Sequence, residues 1–320
     1  MRVLVTGGAG YIGAISVERL VAAGHEVTVL DSLVTGHRDA VPDGARFVEG
    51  SLADRALLDR VLGETAFDAT LHCAARSLVS QSMDDPALYY RENVIGGVTL
   101  LDALRARGVH RIVVSSTAAV YGGPDKVPIR ENAPTRPVNP YGASKLAFEG
   151  AMGWYAAYGL RSVALRYFNV AGASARLGER HDPETHLIPS ILAAAAGGPP
   201  VTLYGDDYPT ADGTAIRDYI HVLDLADAHL AAIELTERME PGTEVCNLGS
   251  GTGFSVRQVL EAARAVVGRP IPQRYGPRRI GDPPVLVAAN RRAADVLGWR
   301  PQRGSLEEMI GSAWRLVAHP

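Results

Sequence analysis

The sequence contains few cysteines, and this scarcity argues against a protein held together by disulfide bonds. Only Cys73 and Cys246 occur among 320 residues, and neither has a neighbour at the spacing of a metal site. Both stand in runs typical of buried strands, which predicts small core residues in a reducing compartment. We therefore expect a cytoplasmic protein that binds no metal.

Long apolar runs and an excess of one charge are also absent. The longest apolar stretch, "LIPSILAAAAGG", contains Pro189 and is too short to cross a bilayer. The opening "MRVLVTGG" resembles a strand rather than a secretory leader. A net charge of -3 gives no attraction to nucleic acid or membrane. With 47% hydrophobic residues, the composition is that of an ordinary globular protein.

The first half of the chain alternates short β-branched runs with stretches of helical periodicity. Helical spacing of apolar residues occurs at 11–24, 54–64, 84–107 and 141–158. Strands joined by helices and nearly continuous in apolar residues indicate a parallel sheet buried on both faces. The sequence thus predicts a doubly wound α/β fold with strands at 2–7, 25–31, 45–50, 68–75, 111–116 and 162–168.

The regular alternation ends near residue 170, where glycine, proline and histidine become frequent. Shorter helices are predicted near 187–196, 224–238, 255–267 and 305–317. A loop-rich region beside a nucleotide-binding sheet commonly determines substrate specificity. We expect a cofactor-binding domain at 1–170 with returning segments near 214–248, and a smaller substrate domain at 171–320.

A glycine-rich loop follows the first predicted strand. "VLVTGGAGYIG" places Gly7, Gly10 and Gly13 between a strand and a helix, and a second strand ends at Asp31. This context is the one that a dinucleotide-binding loop requires, since the glycines let backbone N–H groups approach a pyrophosphate. Asp31 would accept hydrogen bonds from the adenosine ribose and repel a 2′-phosphate. NAD is therefore favoured over NADP, although the basic residues 37–38 lie nearby.

A tyrosine and a lysine stand four positions apart in "NPYGASKLAFEG". Tyr141 and Lys145 would project from one helical face, and Thr117 ends a predicted strand. Lowering a tyrosine pKa from about 10 to about 7 requires about 4 kcal/mol of preferential phenolate stabilisation. The lysine ammonium and a positive nicotinamide ring are the expected sources. Tyr141 could then take a hydroxyl proton while Thr117 holds the same oxygen.

Together with the glycine loop, these residues are typical of the short-chain dehydrogenase/reductase superfamily. The segments "STAAVYG", "LRYFNVAGA", "GERHDPETHLIP", "YGDDYPTADGTAIRDYIHV", "NLGSG" and "RRIGDPP" follow in family order across almost the whole chain. In this respect the chain resembles the UDP-galactose 4-epimerases. The resemblance implies a Rossmann-type cofactor domain, tightly bound NAD, a UDP-sugar substrate and a homodimer paired through two helices of each subunit.

Ala118 and Ala119 distinguish this chain from relatives that share the fold. Dehydratases of the superfamily resemble it but carry an Asp-Glu pair after the threonine, and decarboxylating relatives carry a glutamate there. Alanine can act as neither acid nor base. The resemblance therefore implies that a transient 4-keto sugar is reduced again on its other face, which inverts carbon 4.

The resemblance also assigns residues to the cofactor. Asn93 would support the nicotinamide end through backbone contacts, and Ser51 replaces the aspartate that holds the adenine in most relatives. The residues implied to contact NAD are Gly7, Gly10, Tyr11, Ile12, Gly13, Asp31, Ser32, Ser51, Leu52, Ala74, Asn93, Ser115, Tyr141 and Lys145.

A second set is implied to bind the UDP-sugar. Arg217 and Arg279 would clamp the diphosphate, but the alternatives are an ion pair of Arg217 with Asp218 or Asp224 and a solvated basic face for Arg279. The full set is Arg76, Val79, Ser80, Thr117, Tyr167, Asn169, His186, Leu187, Tyr204, Arg217, Arg279 and Asp282, in which Tyr204 would stack near the uracil and Asp282 would bind the uridine ribose.

The loop after the fourth strand departs from the family pattern. Arg76, Ser80 and Gln81 replace a hydrophobic residue, a glycine and a glutamate, which makes the local potential more positive. One hypothesis is a UDP-glucuronate 4-epimerase; the alternative is that Arg76 contacts the NAD pyrophosphate or a helix C-terminus. A sugar-nucleotide dehydrogenase and a non-catalytic NAD sensor are the hypotheses from other classes.

Overall fold

The structure is a computed structural model that describes residues 1–279 and 282–318. Ile280 and Gly281, within the "RRIGDPP" motif, lie outside the described residues. Within the described part, no helix is both long and apolar enough to span a membrane.

A seven-stranded sheet forms the centre of the fold, and every strand pair in it is parallel. Its order is β10-β6-β5-β4-β1-β2-β3. The predicted doubly wound sheet is confirmed, with most strand ends within a residue or two of the prediction. The strands are β1 (Arg2–Thr6), β2 (Glu26–Asp31), β3 (Ala45–Glu49), β4 (Ala69–His72), β5 (Arg111–Thr117), β6 (Arg161–Tyr167) and β10 (Gly242–Leu248).

Helices cover both faces of this sheet. Successive side chains of a strand point to opposite faces, so Val3 and Val5 enter one hydrophobic core while Leu4 enters the other. The first core is closed by α1 (Tyr11–Ala22), α8 (Val222–Arg238) and α10 (Arg291–Leu297). The second core is closed by α2 (Arg55–Glu64), α5 (Gly96–Ala106) and α6 (Pro140–Tyr155).

The stretch 84–107 is divided rather than forming one continuous helix. It contains the end of α3 (Val79–Asp84), α4 (Pro86–Tyr89), a π-helical segment at Tyr90–Ile95 and α5. Asp85 ends α3 and caps α4, accepting a 3.0 Å hydrogen bond from the Leu88 amide. Because proline lacks an amide hydrogen, Pro86 suits the first position of a new helix.

The remaining elements form a smaller assembly beside the carboxyl ends of the large sheet. A mixed sheet centres on β9 (Ile216–His221), which pairs with β7 (Asn169–Ala171), β11 (Gly253–Ser255) and β13 (Val285–Leu286). A separate parallel pair joins β8 (Val201–Tyr204) to β12 (Gln273–Gly276). A third core lies among α7 (Leu187–Ala195), α9 (Val256–Val267) and α11 (Leu306–Ala318). Strand β10 and helix α8 instead pack with the large sheet.

Candidate functional site

A cleft of 1390 Å³ runs along the carboxyl ends of the parallel strands, where doubly wound sheets bind ligands. Its volume exceeds the roughly 300–1,000 Å³ typical of a pocket for one small molecule, so it has room for two ligands. Every residue of the two predicted sets borders this cleft except Asn93.

The glycine loop forms one end of the cleft, and its packing permits no side chain at two positions. A Cβ atom at Gly7, whose φ is +74°, would lie 2.4 Å from the backbone nitrogen of Ala74. At Gly13 it would lie 2.1 Å from the carbonyl oxygen of Gly7. Gly10 caps α1 without a side-chain hydrogen bond, which leaves the first amides of this helix available to a phosphate.

Asp31 lies at the end of β2, buried beside this loop. Its carboxylate accepts hydrogen bonds from the Ala9 amide at 2.9 Å and the Leu33 amide at 2.8 Å. These contacts fix its position at the cleft wall and leave acceptor capacity for ribose hydroxyls. The glycine loop, the open helix terminus and this carboxylate together fit NAD.

Asn93 lies behind the cleft wall, buried in the π-helical segment. Its side-chain oxygen accepts from the Arg76 amide at 2.8 Å, and its amide group donates to the Arg76 carbonyl at 3.0 Å. The same amide group donates to Ser144 Oγ at 3.0 Å. Asn93 thereby fastens the loop after β4 to helix α6.

The predicted catalytic residues meet near the middle of the cleft. Thr117 is the last residue of β5, and its side chain hydrogen-bonds to Tyr141 on α6. One turn further along α6, Lys145 Nζ donates to the Ser115 carbonyl at 2.8 Å. Asn139 begins this helix by accepting from the Gly142 amide at 2.8 Å.

The electrostatics of this pair differ from the expectation. Burial raises the pKa of Tyr141, and its hydrogen bond with Thr117 opposes that effect. Burial lowers the pKa of Lys145 to about 8. The ammonium is held by the Ser115 carbonyl, so the protein's own groups keep the Tyr141 hydroxyl protonated. Among the protein's own groups, burial outweighs any acidification of Tyr141 by Lys145, and the positive nicotinamide ring is the second of the two expected sources.

Cys73 is half-buried at the edge of the core, whereas Cys246 is fully buried within it. Strand β4 ends at His72, and Cys73 borders the cleft instead of continuing the strand. Burial raises the pKa of its thiol to about 11, so the thiol is protonated near neutral pH and weakly nucleophilic.

A buried ion pair that was not predicted from the sequence supports the catalytic helix α6. Arg166 donates to Glu149 through two nitrogens, at 2.6 and 3.0 Å. Glu149 also accepts a hydrogen bond from Ser116 of β5. The available signal was spacing, since Glu149 follows Lys145 by four positions and so shares its face of the helix.

Tyr167 was expected beside the substrate, but its hydroxyl points elsewhere. It donates to Ser115 Oγ at 2.7 Å and lies 2.5 Å from His229 Nε2, in the core behind the cleft. Because the hydroxyl is already engaged, a hydrogen bond from it to the substrate is not expected. Tyr167 nevertheless lines the cleft, so its place beside the substrate stays a prediction.

Arg217 and Asp282 pair with each other at the far end of the cleft, at 2.5 Å. The alternatives considered for Arg217 are wrong. Asp218 accepts from the Ser250 amide at 2.7 Å and other backbone amides, and Asp224 pairs with Arg303. The guanidinium of Arg217 therefore remains at the cleft wall.

Arg279 borders the same end of the cleft, with its guanidinium 4.4 Å from the centre of the Tyr204 ring. The neighbouring Arg278 instead pairs with Asp207 at 2.6 Å and is 43% exposed. The alternative of an exposed basic face therefore describes Arg278, whereas Arg279 borders the cleft.

The other predicted substrate residues line the walls between these ends. Asn169 begins β7 and hydrogen-bonds to Tyr219. His186 and Leu187 stand at the N-terminus of α7. The sequence analysis did not predict three further cleft residues, which are Glu179, His181 and Glu184. The high frequency of glutamate and histidine in "GERHDPETH" could have indicated them.

Comparison with known proteins agrees with this geometry. The profile of the NAD dependent epimerase/dehydratase family matches residues 3–249. A UDP-glucose 4-epimerase from Corynebacterium glutamicum is 50% identical over 99% of this chain and 96% of its own.

Solved structures give the same result. The crystal structure of UDP-glucose 4-epimerase from Brucella ovis in complex with NAD is 45% identical, covers 98% of both chains and superposes with a TM-score of 0.95. That of the Bifidobacterium longum enzyme in complex with NAD+ and UDP is 36% identical, covers 99% of this chain and 98% of its own, and has a TM-score of 0.93. The chain described here belongs to the NAD-dependent epimerase/dehydratase family.

Proposed function

We propose that this protein is a UDP-hexose 4-epimerase that interconverts UDP-glucose and UDP-galactose with bound NAD. The observation that carries the proposal is the position of the Thr117–Tyr141 pair in the cleft. The glycine loop and the Arg217–Asp282 pair line the same cleft. The cleft therefore has a place for a dinucleotide and a nucleotide sugar beside one acid–base group.

Bound NAD would supply a reversible hydride acceptor for carbon 4 of the sugar. Tyr141 takes the proton of the 4-hydroxyl and later gives it back, while Thr117 holds the same oxygen. Lys145 is fixed by the Ser115 carbonyl and also borders the cleft. Ala118 and Ala119 line the cleft beside them and offer no acid or base for elimination.

The far end of the cleft is suited to a uridine diphosphate. Arg217 and Arg279 supply guanidinium groups, which match phosphate oxygens in geometry and charge. Tyr204, 39% exposed, offers a ring face for a base. Asp282 accepts a hydrogen bond from Arg217. In the proposed complex it also accepts hydrogen bonds from the uridine ribose hydroxyls. The solved B. longum relative contains UDP together with NAD+.

The uronate alternative depends on Arg76, which borders the cleft. Its backbone is held by Asn93, and none of the carboxylates of the described residues forms an ion pair with its side chain. The relatives named UDP-glucose 4-epimerases favour a neutral hexose. UDP-glucuronate is therefore the comparison substrate in the test.

Three further proposals accompany this function. The first is that the cofactor-binding domain comprises residues 1–170 with returning segments near 214–248, and that residues 171–320 bind the UDP-sugar. The pairing of β10 with β6 supports the assignment of a later segment to the cofactor domain. The free thiols of Cys73 and Cys246 agree with a cytoplasmic protein.

The third is a homodimer formed through the stretches 84–107 and 141–158. Large side chains on these stretches are exposed, including Tyr90 at 44%, Ile95 at 63% and Trp154 at 81%. The small residues Gly150 and Gly153 beside Trp154 permit close approach of a partner helix. Clustered exposed apolar groups of this kind mark protein–protein interfaces.

Purified protein, with no NAD added, is incubated with UDP-galactose and separately with UDP-glucuronate, and the sugars are resolved. We expect UDP-glucose from the first substrate and no net NADH. Release of a keto sugar with stoichiometric NADH would identify a dehydrogenase instead, and turnover of only the uronate would identify the glucuronate enzyme.

A further inference from the structure

Two glutamates and two histidines converge in the loop between β7 and α7, on one wall of the cleft. We call Glu179, His181, Glu184 and His186 the Glu/His cluster. Each can offer one ligand atom, and these four atoms all lie within 4.8 Å of one another. His186 Nδ1 is 2.8 Å from Glu184 Oε1 and 3.4 Å from Glu179 Oε1. His181 Nδ1 contacts the same Glu179 oxygen.

The carboxylates of this cluster are partly withdrawn from water without a permanent cation beside them. The side chain of Glu179 is 9% exposed and that of Glu184 is 21% exposed. Among residues 1–279 and 282–318, neither forms an ion pair with a lysine or an arginine. Buried carboxylates are normally paired with a cation or coordinate a metal. Protonated His181 and His186 can balance these charges, and a metal ion bound to the same atoms would replace the two protons.

We propose that the Glu/His cluster binds a divalent transition-metal ion, represented here by Zn²⁺. Imidazole nitrogens and carboxylate oxygens are ordinary zinc ligands, whereas Mg²⁺ and Ca²⁺ prefer oxygen alone. Ligand atoms of a tetrahedral zinc site lie about 3.4 Å apart, since each bond is about 2.1 Å. The cluster is close to this spacing, so small side-chain movements complete the site. On binding, the Nδ1 protons are released as the nitrogens become ligands.

The ion would fasten the 172–186 segment where it crosses the cofactor end of the cleft. The hydroxyl of Tyr11, in the glycine-loop motif, donates to the Gly172 carbonyl at 2.6 Å. Arg180 donates to both oxygens of Asp39, at 2.8 and 2.9 Å. Asp39 lies in the loop that follows β2, the strand whose last residue binds the adenosine ribose in our proposal. A metal that stiffens the segment therefore slows NAD release.

The test is a calorimetric titration of chelator-treated protein with Zn²⁺, in the wild type, His181→Gln and Glu179→Gln. His110→Gln is the control, because it removes an imidazole that is exposed and lies outside the cluster. We expect one Zn²⁺ per chain in the wild type and in the control. Each ligand variant should bind more than about 100-fold more weakly, since loss of an outer-shell partner alone costs 10–100-fold.

Circular dichroism of each variant without metal verifies that it is folded, and Glu184→Gln replaces any variant that is not. Equal Zn²⁺ affinity in the wild type and the ligand variants would overturn the site. NAD retained after gel filtration is measured with and without Zn²⁺; equal retention would overturn the role of the metal in holding NAD. Neither measurement requires a sugar nucleotide, so both are independent of the proposed epimerase activity.

Discussion

The hydroxyl of Tyr167 and Nε2 of His229 lie 2.5 Å apart in the core behind the catalytic residues. The other ring nitrogen of His229 is 2.9 Å from Ser16 Oγ on α1, and the Tyr167 hydroxyl also donates to Ser115. This chain of hydrogen bonds links the ends of β5 and β6 to the helix that follows the glycine loop. It therefore holds the catalytic and cofactor-binding parts of the sheet in one arrangement.

Removing the Tyr167 hydroxyl should destabilise the fold. In Tyr167→Phe, His229 Nε2 and Ser115 Oγ lose a partner inside the core, and a buried unsatisfied group costs about 1–3 kcal/mol. Urea unfolding measures the change in the free energy of unfolding. Tyr275→Phe is the control, because that ring is 46% exposed on β12 and should leave the free energy unchanged. Equal stabilities of both variants would contradict the structural role of the network.

Tyr141→Phe should lower kcat by about 10²–10⁴-fold, the usual contribution of a positioned acid–base group. The bound NAD should remain, because the hydroxyl hydrogen-bonds to Thr117 rather than to the glycine loop. Turnover of UDP-galactose and the NAD content of the denatured protein measure the two effects. Tyr158→Phe, in which the altered ring is 51% exposed, controls for loss of a tyrosine. Wild-type turnover in Tyr141→Phe would remove Tyr141 from the mechanism.

Arg217→Lys keeps the positive charge but loses the forked guanidinium. We expect KM for the UDP-sugar to rise about 10–100-fold, since charged hydrogen bonds of about 1.5–3 kcal/mol are lost. Steady-state kinetics measures KM and kcat separately. Arg278→Lys is the matched control, because Arg278 pairs with the exposed Asp207. Similar KM values for the two variants would refute a diphosphate contact by Arg217.

Stability should fall in mild acid because three histidines are buried in the neutral form. Burial lowers the pKa of His72 and of His229 to about 3, and that of His221 to about 4. Below pH 6.5 the unfolded chain takes up protons at these rings while the folded protein does not. Each ring thus destabilises the fold as pH falls from 6.5 towards 4, by at most about 1.4 kcal/mol per pH unit.

Urea unfolding at several pH values between 7.5 and 5 measures this slope. His221→Asn should reduce it, because asparagine can still accept from the Leu223 amide but does not titrate. An unchanged slope in this variant would show that His221 is not a source of the acid sensitivity.

Trp154→Glu should convert the proposed dimer to monomers. The side chain is 81% exposed on α6, and a charge at the centre of an apolar interface is costly. Analytical ultracentrifugation of the wild type and the variant measures the oligomer. Val317→Glu alters a 40% exposed side chain on α11, outside the proposed interface, and should leave the dimer intact. A monomeric wild type would rule the interface out.

The cofactor half of the protein was predictable because its signals are local. A strand, a glycine turn and a helix must follow one another closely to bind a pyrophosphate, so Gly7 to Asp31 could be placed from spacing alone. The strands were equally clear, because both faces of a parallel sheet are buried and the runs are almost wholly apolar.

The partners of charged groups were less predictable, because pairing depends on tertiary structure. Arg217 is adjacent to Asp218 in sequence, but neighbouring strand residues point to opposite faces. Its actual partner, Asp282, is 65 positions away. The direction of the Tyr167 hydroxyl depended in the same way on His229, a residue of helix α8 that is 62 positions away. The Glu/His cluster lies in a loop without periodicity, so its geometry could not be predicted from residue spacing.

Strand β10 occupies one edge of the large sheet beside β6, yet its residues are synthesised long after those of β6. Until the ribosome has added residue 248, the outer edge of β6 exposes unpaired backbone groups. A nascent chain is thus open to edge-to-edge association for much of its translation. Synthesis of β10, rather than completion of the glycine loop, therefore completes the sheet whose carboxyl ends border the cleft.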